Sequence, residues 1–288
     1  MKPTAFLVAA SCLGMLAMSP VSARPADPLA QLMHKAGKAR LILVGEMHGT
    51  REVPALVADM ADRLAPRAAK AQALVVALEY PQTEAAQLQA YFDSDGGAAA
   101  SNKLLATPFW TRPAQDGRSS HAMLALIESV RKAGRAGRHV KLAAFDMSAA
   151  QEAAGVDRDE AMAHNLRAIV SANPAARVLA LAGNYHARQR DGAPWNAGQR
   201  FMAGHLADLA PYSINVDGMR GAYWACFSGQ AADCKTQSFA RDPARTNRPG
   251  VYADKALTDS GYNLGLMLDA LSVSLPAGRS VVRTEFAE

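Results

Sequence analysis

Thiols and aromatic rings are scarce in this sequence of 288 residues, which holds three cysteines and only 6% Phe, Trp and Tyr. Charge of one sign is not concentrated anywhere: 31 Lys and Arg are scattered among 26 Asp and Glu, for a formal net charge of +5. Without a basic cluster interleaved with aromatics, the chain is not expected to bind nucleic acid, and its pI of 9.2 reads as a solubility feature. Internal repeats are lacking. Past the first residues, so are apolar runs long enough to span a membrane.

The one long apolar stretch, Ala5 to Met18, follows Met1-Lys2-Pro3 and precedes Ser19-Pro20-Val21-Ser22-Ala23. A charged start, an apolar middle and an A-x-A-like exit, in that order, mark a secretory signal peptide with cleavage after Ala23. Residues 1–23 are thus expected to be removed, and 24–288 to form one exported domain, periplasmic or secreted. Cleavage leaves 30 basic residues against 26 acidic ones, a charge of +4. Half the residues are hydrophobic, ample for one sizeable core. Only Cys226 and Cys234 then remain, and an oxidising compartment makes a short-loop disulfide their expected state. Their segment supplies no further thiol or close histidine for a metal.

Apolar runs at Leu41 to Val44, Ala73 to Leu78, Val140 to Phe145 and Val178 to Ala182 read as buried strands, with a further one at Ser213 to Val216. Apolar residues at three- and four-residue spacing predict helices over Val53 to Leu64, Thr83 to Phe92, His121 to Lys132, Asp159 to Ser171 and Arg200 to Leu209. The alternation implies an α/β fold with a mainly parallel sheet and helices on both faces. Two irregular insertions, about 93–120 and 218–250, are either binding loops or surface excursions.

In such a sheet ligands bind beyond the carboxyl ends of the strands. The first strand runs into Gly45-Glu46-Met47-His48-Gly49, the second into Glu79-Tyr80-Pro81, the third into Asp146-Met147 and the fourth into Gly183-Asn184-Tyr185-His186. Glycine three residues before each histidine lets the chain turn sharply and present His48 and His186 to the crevice. Glu79 is either a site carboxylate or a turn cap, and Glu46 either a second acid or a brace for its own turn. Asp146 is either a site residue or a turn former. Asp159 reads as a first-turn residue, while Arg158 either pairs with Glu79 or Asp146 or is solvated. Arg118, beside the N-cap Ser120, suits an anion, although capping explains the arrangement as well.

Several of these segments resemble the superfamily that groups ChaN-like haem-binding uptake proteins, Tiki-type proteases and erythromycin esterases. Gly45-Glu46-Met47-His48-Gly49-Thr50-Arg51-Glu52 is similar to the esterase motif. Ala77-Leu78-Glu79 and Phe145-Asp146-Met147 are similar to the second and third strands, and Arg158-Asp159-Glu160-Ala161-Met162-Ala163-His164-Asn165 to the helix motif before the fourth. Gly183-Asn184-Tyr185-His186-Ala187-Arg188 is closest to the ChaN-like version, the branch this chain resembles most by length. The resemblance implies His48, Glu79 and His186 as site residues. One expectation is a hydrolase in which His48 or His186, oriented by Glu79, activates water on an ester, lactone or amide of a small molecule or peptide. The Tiki-type resemblance implies a variant in which the same three residues hold a divalent ion such as Zn, Mn or Co. The ChaN-like resemblance implies instead a haem-binding protein, with Tyr185 or His186 on the iron and Arg188 or Arg118 on the propionates. No C-x-x-C-H run is present, so that haem would be noncovalent.

Overall fold

Strands of Leu, Ile, Val and Ala with no polar alternation must be covered on both faces, and the sheet is built from such strands. The computed structural model describes residues 27–278 apart from 38, 68–71 and 245. The proposed signal peptide lies outside the described residues. The strands are β1 (Leu41–Glu46), β2 (Leu74–Pro81), β3 (Val140–Asp146), β4 (Arg177–Gly183), β5 (Tyr212–Gly218), β6 (Arg220–Cys226), β7 (Cys234–Ala240), β8 (Gly250–Tyr252) and β9 (Leu264–Leu268). Seven of them form one sheet in the order β3-β2-β4-β1-β5-β9-β8, parallel throughout except for β8. All five strands expected from the sequence are present.

Alternate residues of each strand feed two cores. Ile42 and Val44 of β1 pack with Val57, Met60 and Leu126, from the helices Glu52–Leu64 and His121–Arg135. Leu41 and Leu43 pack on the opposite face with Met162 and Leu166 of the helix Arg158–Ala172. Helices therefore cover both faces, as the sequence pattern requires. The helix expected over Arg200 to Leu209 is reduced to Met202–His205 and a short 3-10 turn, Ala207–Leu209. Its apolar residues Met202, Ala203 and Leu206 are buried all the same, so the spacing reported packing and overstated helix length.

Neither insertion is a loose excursion. Within 93–120, Phe109 and Trp110 lie against Tyr80 at ring separations of 4.5 and 5.9 Å, and Trp110 is fully buried. The 3-10 turn Gly117–Ser119 follows, and its Arg118 guanidinium lies 6.0 Å from the Phe109 ring centre. The second insertion is a hairpin of β6 and β7, closed by a disulfide between the paired residues Cys226 and Cys234. The Trp224 amide donates to the Gly49 carbonyl at 3.2 Å and its indole Nε1 to the Gln115 carbonyl at 2.7 Å. Gly49 has φ of +81°, and a Cβ there would come within 2.2 Å of the Trp224 carbonyl oxygen, so glycine allows this docking. No helix among the described residues is long and apolar enough to cross a membrane.

Candidate functional site

Strand order brings the carboxyl ends of β3, β2, β4 and β1 side by side, and the polar residues beyond them meet in one cleft of about 460 Å³. Glu46, His48, Glu79, Arg118, Arg158 and His186 all face it. A groove of about 540 Å³ between the helices Glu52–Leu64 and His121–Arg135 is lined mostly by apolar residues and holds no comparable set of charges.

Gly45 and Gly183 serve the cleft by close approach and not by turning. Neither has positive φ, which corrects the reason inferred from the sequence. They sit in the parallel ladder where Glu46 pairs with Gly183, and a Cβ on Gly183 would lie 2.9 Å from His48 Nε2. Gly183→Ala is therefore expected to push the His48 ring aside. A changed His48 titration followed by NMR, with a melting curve close to that of the parent protein, would show that only the site has moved.

His48 Nδ1 lies 2.8 Å from Glu46 Oε1, and its Nε2 lies 3.5 Å from Glu79 Oε2. The carboxylate that fixes the ring is thus Glu46, whereas Glu79 stands across from the nitrogen that faces the cleft. Burial opposes charge on His48, but Glu79 and the hydrogen bond to Glu46 outweigh it and push its pKa up to about 10. Glu46 itself is raised by burial, and its Oε2 is enclosed without a hydrogen-bond partner.

Glu79, only 3% exposed, accepts from Arg158 Nη2 at 2.7 Å, from Arg118 Nη1 at 3.3 Å and from the Gly183 amide at 2.7 Å. Burial raises its pKa, yet the positive groups around it, His48 first and Arg158 among them, hold it well below the usual carboxylate range. Both arginines also reach Asp146, at 2.6 Å from Arg118 Nη1 and 2.8 Å from Arg158 Nη2. Arg118 is gripped from its other side by Asp116, at 2.8 Å from Nη2.

His186 is held at both ring nitrogens. Arg158 Nη1 lies 2.9 Å from Nε2, and because a guanidinium only donates, that nitrogen accepts. Nδ1 then carries the proton and donates to Asp159 Oδ1 at 2.6 Å. Asp159, read from the sequence as a plain first-turn residue, also accepts from the Met202 amide at 2.7 Å and is a buried support of the site. The helix cap is its neighbour Asp157, which accepts from the amides of Asp159 and Glu160. Asn165 ends the helix motif that begins at Arg158. It donates to the Phe145 and Asp146 carbonyls and so fixes the end of β3.

Several expectations need correction. Arg188 donates to the Ser260 carbonyl at 2.8 Å and stacks over Tyr185 and Phe201, so it belongs to the wall behind the cleft. Arg118 is turned onto carboxylates and not toward an open anion site. The set His48, Glu79 and His186 does not fit a metal ion. Nε2 of His186 is occupied by Arg158, both Glu79 oxygens are engaged, two guanidiniums face the same space, and the described residues contain no metal-holding cluster of His, Cys, Asp and Glu. For haem, the engagement of both His186 nitrogens leaves Tyr185 as the remaining candidate iron ligand. That ring is packed between Trp195 and Phe201.

No protein-family model and no curated protein sequence matches this chain. Among solved structures, an erythromycin esterase, EreC, in an open conformation superposes with a TM-score of 0.61 at 11% identity, over 84% of this chain and 93% of that one. A succinoglycan biosynthesis protein superposes with a TM-score of 0.62 at 10% identity, over 88% and 93%. The haem-binding ChaN of Campylobacter jejuni reaches 0.38 at 15% identity, over 65% and 84%, a likeness from which nothing is inferred. The chain shares its overall fold with these first two structures.

Proposed function

We propose that this chain is an exported hydrolase that cleaves a carboxylic ester or lactone, with His48 as the residue that moves the proton. The observation that carries the reading is the His48 ring itself. It is braced at Nδ1 by Glu46, presents Nε2 to the cleft at 26% side-chain exposure, and lies beside two arginines. The fold shared with an esterase is consistent with this and adds no residue role of its own.

In the proposed cycle the unprotonated Nε2 takes a proton from water as that water attacks the ester carbonyl. The oxyanion that develops faces Arg158, whose side chain is 35% exposed at the cleft. The imidazolium then returns the proton to the departing alkoxide, releasing acid and alcohol. Glu46 fixes the ring and favours its charged form, while His186 and Asp159 position Arg158. No metal enters the sequence of steps.

The pH dependence follows from the raised pKa of His48. A base must be unprotonated to act, and this one keeps its proton in the free enzyme until about pH 10. The value of kcat/KM is therefore expected to rise about tenfold per pH unit through neutrality and to level off near pH 10. A profile flat from pH 6 to 9 would remove His48 from the role of base. The reading as a whole is tested by assaying the purified mature protein on a panel of aryl, alkyl and lactone esters, and a folded protein inert to all of them overturns it.

A further inference from the structure

The cleft has an apolar rim that its proton chemistry does not use. Only three large apolar side chains among the described residues are broadly exposed, Trp195 at 66%, Phe227 at 68% and Leu275 at 49%; Phe227 belongs to this cleft, and Trp195 stacks on one of its lining residues. Phe227 lines it directly. Trp195 stands on Tyr185, a lining residue, at a ring separation of 4.8 Å, and Tyr185 in turn rests on Phe201 at 5.6 Å. Single exposed apolar residues need no explanation, but an exposed ring lining a cleft and a second one stacked, from a distant part of the chain, on that cleft's Tyr185 do.

The backbone that carries Phe227 is fixed in place. Phe227 follows Cys226, whose disulfide to Cys234 closes the hairpin, and the neighbouring Trp224 pins that hairpin to Gly49 and Gln115. Tyr223 and Trp224 continue the same wall inward. A prearranged aromatic surface binds flat rings without the ordering cost that a mobile loop would add.

Charge selects further. The two arginines on the floor are already met by three carboxylates, Glu79, Asp146 and Asp116, within hydrogen-bond distance. Asp159 adds a fourth beside His186. Arg112 also lies on Asp116 and the protonated His48 on Glu46, each at 2.8 Å, so four cations face five carboxyl groups and the cleft offers no surplus positive charge to a carboxylate- or phosphate-bearing substrate, whose desolvation would go unrewarded.

We infer that the substrate of this cleft is an ester carrying a flat apolar ring and no negative charge, selected by Phe227 and Trp195. The inference rests on the hydrolase reading for the word ester, but the ring subsite itself is independent of turnover.

The test combines kinetics with binding of an inert probe, naphthyl acetamide, followed by calorimetry on the mature protein. Naphthyl acetate is expected to be turned over with a lower KM than ethyl acetate, and acetoxybenzoate with kcat/KM at least tenfold below phenyl acetate. Phe227→Ala and Trp195→Ala are each expected to raise KM for naphthyl acetate about tenfold, with kcat within about twofold, and to weaken amide binding by a similar factor. Equal amide binding by the parent and both rim variants overturns the inference, as does a preference for the anionic ester. Should no ester be cleaved while the amide still binds and loses affinity in the rim variants, the hydrolase reading fails and the ring subsite stands.

Discussion

His48→Ala is expected to lower ester hydrolysis by about 10³-fold, with the loss falling on kcat, because it removes the cleft-facing imidazole nitrogen that, unlike Nε2 of His186, is not held by an arginine. Glu46→Gln is expected to lower it as well. The ring would keep a hydrogen-bond partner at Nδ1 but lose the negative charge that stabilises its protonated form. His186→Ala is expected to act differently. Its two nitrogens are spent on Arg158 and Asp159, so it positions a cation and takes no proton from water. Its loss should reduce kcat while leaving the alkaline rise of kcat/KM intact, whereas His48→Ala should flatten that rise. If His186→Ala abolished activity and His48→Ala did not, the roles assigned to the two histidines would be reversed.

The sheet was legible in the sequence because its strands are buried on both faces, and such strands leave unbroken apolar runs between polar ends. Placement of the functional groups was legible for the same reason: whatever follows a buried parallel strand lies at the crevice, so His48, Glu79, Asp146 and His186 were brought together as expected. Pairing within that group was not legible. Glu46 lies two residues from His48, and a strand continuing through Glu46 is needed before the following turn can fold His48 back onto it. Burial of a carboxylate at the end of a strand leaves no mark in composition.

Asp159 shows the limit from another side. In a first helical turn an aspartate is explained by the helix dipole alone, so nothing in the chain signals that it holds His186. The two arginines were ambiguous because a guanidinium reads alike whether solvated or paired, and three-dimensional convergence decides which. Both insertions were visible as breaks in rhythm, yet their rings were too sparse to suggest walls. Phe109, Trp110, Trp224 and Phe227 acquire that meaning only once Tyr80, Gly49 and Gln115 lie beneath them.

The second large effect is expected at Asp146, which is 4% exposed and lies beneath the cleft. It accepts from Arg118 Nη1 at 2.6 Å, from Arg158 at 2.8 and 3.0 Å and from the Met147 amide at 2.7 Å. Asp146→Ala leaves three guanidiniums, Arg112, Arg118 and Arg158, on two carboxylates, Glu79 and Asp116, with a surplus of positive charge in a desolvated space. Breaking a buried ion pair on one side costs about 3–5 kcal/mol, and since Arg158 reaches water, about 3 kcal/mol is expected here. For a chain of this size that lowers the melting temperature by about 6–12 °C. Removing one of the stranded cations should then restore part of the loss, so Asp146→Ala with Arg118→Met is expected to melt above Asp146→Ala alone, a coupling that independent sites do not show. A double variant that melts at the sum of the two single losses would mean that Asp146 supports the end of β3 through its backbone contact and not through the arginines. A rescued double variant would identify the floor of the cleft as one electrostatic unit, in which the position of Arg158, and with it the charge facing the reacting carbonyl, depends on each carboxylate beneath it.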